Sequence, residues 1–325
     1  MNDVVETHTG LVFLVGDRAY KVKKPVTTDF LDFATPQSRE RACAREVMLN
    51  SRLAPASYLG VAHVSFPDGR QSEPVIVMRR HPDERRLATL VRQGVEVNEQ
   101  LVAVAAVLAR FHAEAHRGRE VDEEGRLEAV AARWQASLTE LADYAQGRVP
   151  GLDAGVVAEI NRCAMGFIAG RAVLFVDRIR TGRIVDGHAD LLADDIFCLP
   201  DGPALLDCLE FDDRLRYVDV IDDAAFLAMD LEFLGRRDLG DFFLQRYRTL
   251  TGDESPDSLR HFYISYRAVV RAKVDCVRFT QGHPEAGADA GAHLEIALAH
   301  LRAGAVRLIL IGGGPGTGKT TLAHG

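Results

Sequence analysis

No run of this sequence approaches the roughly 20 apolar residues that a helix needs to cross a bilayer. Its first residues, Met1-Asn2-Asp3-Val4-Val5-Glu6, lack the basic and apolar regions of a secretory signal. A cytoplasmic protein with no membrane partner is expected. Cysteine is scarce as well. Cys43, Cys163, Cys198, Cys208 and Cys276 are odd in number, widely spaced and without a C-x-x-C pair, which argues against a disulfide framework and against a zinc site. They read as reduced thiols, mostly buried. Positive charge is in deficit, with 39 Lys and Arg against 47 Asp and Glu and a formal net charge of −8. A general nucleic-acid partner needs a basic face to neutralise phosphates, so none is expected. There is no G-x-G-x-x-G loop and no internal repeat. What is present, 325 residues that are 47% hydrophobic and 26% charged, suits a globular chain with a substantial core.

The last twenty residues carry a motif. Val306 to Ile311 reads as a buried strand, and it leads into Gly312-Gly-Gly-Pro-Gly-Thr-Gly-Lys-Thr320. This fits G-x-x-x-x-G-K-[ST], with Gly313 and Gly318 as the fixed glycines, Lys319 as the phosphate lysine and Thr320 as the hydroxyl for Mg²⁺. Glycines let backbone N–H groups turn in on a phosphate, and the helix starting at Lys319 points its positive end at the same anion. Residues 304–325 are therefore expected to be the first strand and P-loop of an α/β P-loop domain, truncated at Gly325.

Charge is concentrated elsewhere. Between Asp186 and Glu232 there are fourteen carboxylates against only Arg214 and Arg216, a density that asks for a metal or a cationic partner. The acids alternate with apolar pieces such as Ile196-Phe197-Cys198-Leu199 and Ala204-Leu205-Leu206, so several must sit at the ends of buried elements. The segment reads as a loop at His188-Ala189-Asp190, strands at 195 to 199 and 204 to 209 around the turn Pro200-Asp201-Gly202-Pro203, and a helix from about 219 to 234. Asp190 thus precedes one strand of a hairpin and Asp207 lies at the end of the other, the arrangement in which a catalytic loop and a metal-binding carboxylate face each other.

In these residues the chain resembles the aminoglycoside phosphotransferase branch of the protein-kinase-like fold. That family's pattern, H-G-D-x-x-x-x-N, a hairpin, then I-D-[FW], stands here as His188-Ala189-Asp190-Leu191-Leu192-Ala193-Asp194-Asp195 and Leu206-Asp207-Cys208-Leu209-Glu210-Phe211. The resemblance implies that Asp190 orients the acceptor hydroxyl and takes its proton, and that Asp207, with Asp195, holds Mg²⁺. Two positions depart from the pattern. Ala189 replaces glycine, a mild change if the backbone there is not left-handed, and Asp195 replaces asparagine while keeping an oxygen ligand for a hard cation.

Such a fold also implies a lysine on the third strand and a glutamate on the next helix. Residues 11–17 and 18–26 read as a hairpin turning at Gly16-Asp17. Ala19-Tyr20-Lys21 matches A-x-K, and period-2 geometry puts Ala19, Lys21 and Lys23 on one face. Lys21 is expected on the α- and β-phosphates, with Lys23 an alternative, and Glu46, in a helix from about Ser38 to Leu53, is its expected partner. Residues 75–80 read as the last strand of a small lobe, with the backbone of Met78 to Arg80 available to adenine. A long amphipathic helix, Asn98 to His116, opens the larger lobe. Its His112 and His116 do not form a metal site with Glu114, which points to another face. Further helices are expected at 137–145, 156–168, 239–251, 257–278 and 292–303; Arg267, Arg271, Lys273 and Arg278 of the fourth read as a solvated face, or alternatively as charges that balance the acidic site or bind a substrate phosphate.

The whole pattern is similar to uncharacterised bacterial proteins that fuse an aminoglycoside-phosphotransferase-like domain to a C-terminal P-loop ATPase or kinase domain. In that family Arg214 to Asp219 and Phe226 to Leu231 belong to a distinctive stretch after the metal aspartate. The resemblance covers nearly the whole chain and implies an α+β, two-lobed kinase-like fold. Its parts would be a small lobe at 1–80, a helical lobe at 81–303 and the P-loop segment at 304–325. It further implies ATP and Mg²⁺ as cofactors, and phosphoryl transfer to a hydroxyl or amine of a small-molecule acceptor. An alternative from another class is a catalytically silent nucleotide-binding domain that regulates a P-loop module. Acceptor and oligomeric state are not legible.

Overall fold

The computed structural model of the protein describes residues 3–6, 10–25, 33–65 and 72–305. Gly313, Gly318, Lys319 and Thr320 lie outside the described residues.

The N-terminal lobe is one antiparallel sheet and one helix. Its strands are β1 (Asp3–Glu6), β2 (Gly10–Val15), β3 (Arg18–Lys23), β4 (Tyr58–Val64) and β5 (Glu73–Arg79), in spatial order β1-β2-β3-β5-β4. The β2–β3 hairpin turns at Gly16, whose φ of 57° is a left-handed value that glycine adopts without strain. Alternation along β3 buries Ala19, Lys21 and Lys23 together. The register sets Lys21 opposite Val12 on one side and Ile76 on the other, which places it mid-sheet. Helix α1 (Pro36–Asn50) begins two residues before the expected start. Thr35 caps it, its hydroxyl accepting the Ser38 N–H at 3.1 Å, and Pro36 takes the first-turn position where a missing N–H costs nothing.

After β5 the chain passes a 3₁₀ turn at Asp83–Arg85 into a mostly helical lobe. Its elements are α2 (Leu87–Arg92), α3 (Asn98–Glu114), α4 (Arg119–Glu124), α5 (Leu127–Tyr144), α6 (Ala154–Ala169), α7 (Ala172–Arg180), β6 (Ile184–Asp186), β7 (Ile196–Leu199), β8 (Gly202–Leu205), α8 (Asp213–Arg216), β9 (Tyr217–Asp219), α9 (Val220–Phe233), α10 (Arg237–Thr251), α11 (Asp257–Thr280) and α12 (Ala286–Ala303). No helix among the described residues is long and apolar enough to cross a membrane. The two short strand pairs, β6 with β9 and β7 with β8, are both antiparallel. Helix α9 is the lobe's central post: eleven of its fourteen residues are buried, Asp222 and Asp223 among them. The β7–β8 hairpin closes the gap to the small lobe, where Phe197, Ala204 and Leu206 join Cys43, Ala54, Tyr58 and Ile76 in a second core.

Three expectations change. The strand expected at 204–209 ends at Leu205, because Asp207 takes φ 62° and cannot continue a pleat. The helix expected at 137–145 begins ten residues earlier, at Leu127. The last helix starts at Ala286 rather than 292. There the small residues Ala286, Gly287 and Ala290 are buried in the added first turns of α12. All five cysteines are free, and four are buried, Cys163 being partly exposed.

Candidate active site

A cluster of charges spans the two lobes. Lys21 Nζ donates to Glu46 Oε1 at 2.8 Å and to Asp207 Oδ1 at 2.7 Å, so β3, α1 and the segment after β8 meet at one ammonium. Burial opposes the charge of Lys21, yet Asp207 and then Glu46 outweigh it and push its pKa well up. The same ammonium is the main cause that holds Asp207 below the ordinary carboxylate range, against burial. Glu46 is fully buried, whereas 45% of the Asp207 side chain stays exposed toward the cleft. Lys23, the alternative phosphate lysine, is otherwise engaged. Its side chain is completely buried and pairs with Glu46 at 2.5 Å and Glu210 at 2.6 Å.

The segment after β8 is tied down on the small-lobe side. The Asp207 N–H donates to the Tyr58 hydroxyl at 3.3 Å, the Cys208 N–H to Asn50 Oδ1 at 2.8 Å, and Arg45 Nε to the Glu210 carbonyl at 3.0 Å. These contacts account for the left-handed backbone at Asp207, a rare conformation for a non-glycine residue.

Opposite it runs the loop His188-Ala189-Asp190. The fully buried carboxylate of Asp223 organises this loop from the first turn of α9. It accepts the His188 N–H and the Ala189 N–H, both at 2.7 Å, and meets His112 Nε2 at 2.8 Å. Gly187 makes the approach possible: a Cβ there would stand 2.5 Å from Asp223 Oδ2. Ala189 adopts φ 68°, so the condition under which the replacement of glycine would be mild is not met, and a left-handed alanine is held against its preference. His188 accepts the Asp190 N–H on Nδ1 at 3.3 Å and donates from Nε2 to the Leu206 carbonyl at 3.0 Å. Burial keeps that imidazole neutral. His112 and His116 are not a metal pair: His112 is buried between Asp223 and the Tyr247 hydroxyl, while His116 is exposed beside Glu120.

Asp190, at the mouth of this loop, has its carboxyl pushed up to about 6, first by burial and then by Asp207 and Asp230, with Arg271 and Arg267 pulling the other way. Asp195 is raised further, by burial and by the fields of Asp207 and Asp190. Among the described residues no hydrogen bond or ion pair occupies either side chain. Two oxygen-bearing carboxylates that repel each other across an open cleft suit a hard divalent cation. No group of three or more His, Cys, Asp or Glu among the described residues encloses such an ion. Asp195 and Asp207 would therefore supply part of a coordination shell, the remainder coming from phosphate oxygens and water.

Most of the acidic run is consumed by the fold itself, so its density does not call for a cationic partner. Asp186 pairs with Arg216 and Arg52, Asp213 with Arg45 and Arg216, Asp194 with Arg92 and Asp219 with Arg178. Asp222 takes Arg267, Glu232 takes His300, and Asp230 accepts the Ala193 N–H. On α11 Arg267 departs from the expected solvated face, whereas Lys273 and Arg278 pair with Glu140 and Asp275 nearer the surface. Arg267 is buried, forks onto both oxygens of Asp222 at 2.7 and 2.9 Å and donates to the Ala189 carbonyl at 3.2 Å. On the linker, the N–H groups of Arg79 and Arg80 donate to the Ser57 and Asp17 carbonyls, so of the backbone groups expected to meet adenine these two donors are already engaged. A surface depression of about 760 Å³ lies between α10 and α11, lined by residues such as Asp238, Arg248 and Arg260, and shares no residue with this cleft.

Sequence reasoning missed Asp223, Arg267 and Glu210. The signal for the first was available: two adjacent acids inside the apolar run Val220 to Met229 must be paired if the helix is buried.

No known family profile matches the chain. Uncharacterised proteins of Mycobacterium tuberculosis (strain H37Rv) and Mycobacterium bovis are 61% identical over 323 residues, 99% of this chain, and the chain spans 64% of their length. Among solved structures, a choline kinase from Cryptosporidium parvum Iowa II superposes with a TM-score of 0.55 at 12% identity, covering 94% of this chain and 88% of that one. The GDP and kanamycin complex of APH(2″)-IIIa gives 0.53 at 15% identity, covering 93% of each chain. A choline/ethanolamine kinase family protein from Mesorhizobium loti gives 0.52 at 13% identity, covering 93% and 92%. The two-lobed α+β architecture of this chain is thus the protein-kinase-like fold that aminoglycoside phosphotransferases and choline kinases share.

Proposed function

We propose that the chain is a Mg·ATP-dependent phosphotransferase acting on a hydroxyl or amine of a small molecule. The observation that carries this is the Lys21 ammonium bonded at once to Glu46 and Asp207 across the interlobe cleft, with Asp190 unpaired beside them. The structural neighbours support it, since two are kinases by name and a third was solved with GDP and kanamycin.

Each residue then has a task. Lys21, held straight by Glu46, would bind the α- and β-phosphates. Asp207 and Asp195 would hold Mg²⁺, which when bound neutralises charge developing between the phosphates. Asp190 would orient the acceptor and take its proton, and a carboxyl titrating at about 6 is a stronger base than an ordinary aspartate while still ionised at neutral pH. That tuning favours turnover over a silent regulatory domain. Adenine would find its backbone donor at His81, one residue past the N–H groups spent in the sheet. The sequence Gly313 to Thr320 would form a second nucleotide site, and the greater length of the mycobacterial relatives leaves room for the domain it would belong to.

The test is ATP turnover by the 325-residue chain carrying Lys319→Ala, which silences the second motif, against a panel of hydroxyl and amine compounds. Acceptor-stimulated ADP release that disappears in Asp190→Asn, with nucleotide binding retained, is the expected result. Release unchanged in Asp190→Asn refutes the assignment.

A further inference from the structure

Among the described residues, the cations around the cleft are, with one exception, already committed. Lys21 and Lys23 are held by Glu46, Asp207 and Glu210, Arg92 by Asp194, and Arg267 by Asp222 and the Ala189 carbonyl. Arg271 stands one helical turn beyond Arg267 on the same face of α11, because residues four apart lie one above the other. Since Arg267 touches the residue before Asp190, that face looks into the acceptor side of the cleft. Arg271 is half-buried, and among the described residues it makes no hydrogen bond or ion pair. Its charge is nevertheless felt at Asp190, where it is the strongest favourable influence, and at Asp230. It is near both carboxylates and bonded to neither.

A guanidinium kept beside the reacting position without a partner wants a planar oxyanion, for which its paired N–H donors are shaped. Two nearby acids are engaged elsewhere, Asp230 accepting the Ala193 N–H and Asp194 forking with Arg92, and Asp190, whose charge Arg271 favours, makes no hydrogen bond with it. A polycationic acceptor, in contrast, would meet a positive charge at the point where it must bind. We infer that Arg271 docks an anionic group of the acceptor, a carboxylate or a phosphate, next to the hydroxyl that Asp190 activates. This rests on the phosphotransferase reading and narrows it to hydroxy acids or phosphorylated alcohols.

The test is calorimetric titration of four probes into the full chain carrying Lys319→Ala, as the parent of this series, saturated with Mg·ADP: D-glycerate and glycerol 3-phosphate as the carboxylate and phosphate arms, choline and ethanolamine as the cationic arm. At least one anionic probe binds and the cationic probes do not. Arg271→Ala weakens that binding roughly 10- to 150-fold, the range of one charge-assisted hydrogen-bonded contact, and Arg271→Lys restores part of it. The affinity for Mg·ADP stays the same in both variants, which shows that they fold. Tight binding of the cationic probes, binding of neither class, or an anion affinity indifferent to Arg271→Ala overturns the inference. If the parent chain fails to bind Mg·ADP, the phosphotransferase reading falls first, so the two failures are distinguishable.

Discussion

Asp223→Asn is the perturbation with the most sharply defined cost. The parent carboxylate offers two oxygens to two backbone N–H groups, at His188 and Ala189, each 2.7 Å away, and carries His112 as well. Asparagine offers one oxygen and one NH₂. Whichever way the amide turns, one buried N–H faces another donor and loses its partner. An orphaned buried polar group costs about 1–3 kcal/mol, and the remaining bonds lose their charge assistance, so a total of about 3–5 kcal/mol is expected. The loop has an added reason to move, because a left-handed alanine costs about 1–2 kcal/mol that these bonds offset. Displacing Asp190 by an ångström would lower kcat about 100-fold, while the KM for nucleotide stays near the parent value, since Lys21, Glu46 and Asp207 are untouched. Urea unfolding and steady-state kinetics on the two proteins provide the assay. The pH dependence follows from the direction of the shift. Burial raises the Asp223 pKa but is outweighed, first by the hydrogen bond with His112, so its folded value lies below the unfolded one. Its stabilisation is present above about pH 4 and lost as pH falls toward that folded value. The gap between parent and variant should therefore be constant from about pH 5 to 8 and narrow below 4. A loss under about 1 kcal/mol with unchanged kcat would refute the role given to Asp223.

Further outcomes follow from other parts of the site. Activity should rise with pH along a limb centred near 6, the value to which Asp190 is pushed, and a profile flat from pH 5 to 7.5 would exclude it as the base. Because the fold disfavours ionised Asp190, Asp190→Asn should gain up to about 3 kcal/mol of stability above about pH 7 and almost nothing below about pH 3, where the carboxyl is protonated folded and unfolded alike; urea unfolding at both values decides it. Ala189→Gly should raise stability by about 1 kcal/mol, the relief of left-handed strain less the added chain entropy of glycine, and a thermal midpoint that falls would contradict the strain. Glu210→Gln leaves the buried Lys23 with Glu46 alone and should cost about 2–4 kcal/mol. Adding Lys23→Met should recover part of that cost, and strict additivity in the double-mutant cycle would show that the pair is not coupled.

The backbone of the site was legible where it depends on local pattern. Alternation on β3 put Lys21 and Lys23 on one face, and the turn at Pro200 to Pro203 set Asp190 and Asp207 at opposite ends of a hairpin. What was not legible depends on packing between distant segments. Nothing near His188 says that Asp223, 35 residues later, will hold its N–H, nor that Arg267 will reach the Ala189 carbonyl. The basic residues of α11 looked like a solvated face because helical period alone does not say what a face packs on. The left-handed angles at Ala189 and Asp207 escape sequence rules built on glycine and asparagine. Asp195 and Asp207 were expected as ligands by position in the motif; the opposite directions of their carboxyls, one raised and one lowered in the same cleft, come from packing that the motif does not encode.

The most direct test of the central claim is calorimetric titration of Mg·ATP into the chain carrying Lys319→Ala, alone and combined with Lys21→Ala or Asp207→Asn. The first protein is expected to bind Mg·ATP, and each added substitution to weaken binding at least about tenfold, one charge-assisted contact being lost in each case. Equal affinity in all three, or no binding by the first, would contradict the placement of the nucleotide between Lys21 and Asp207.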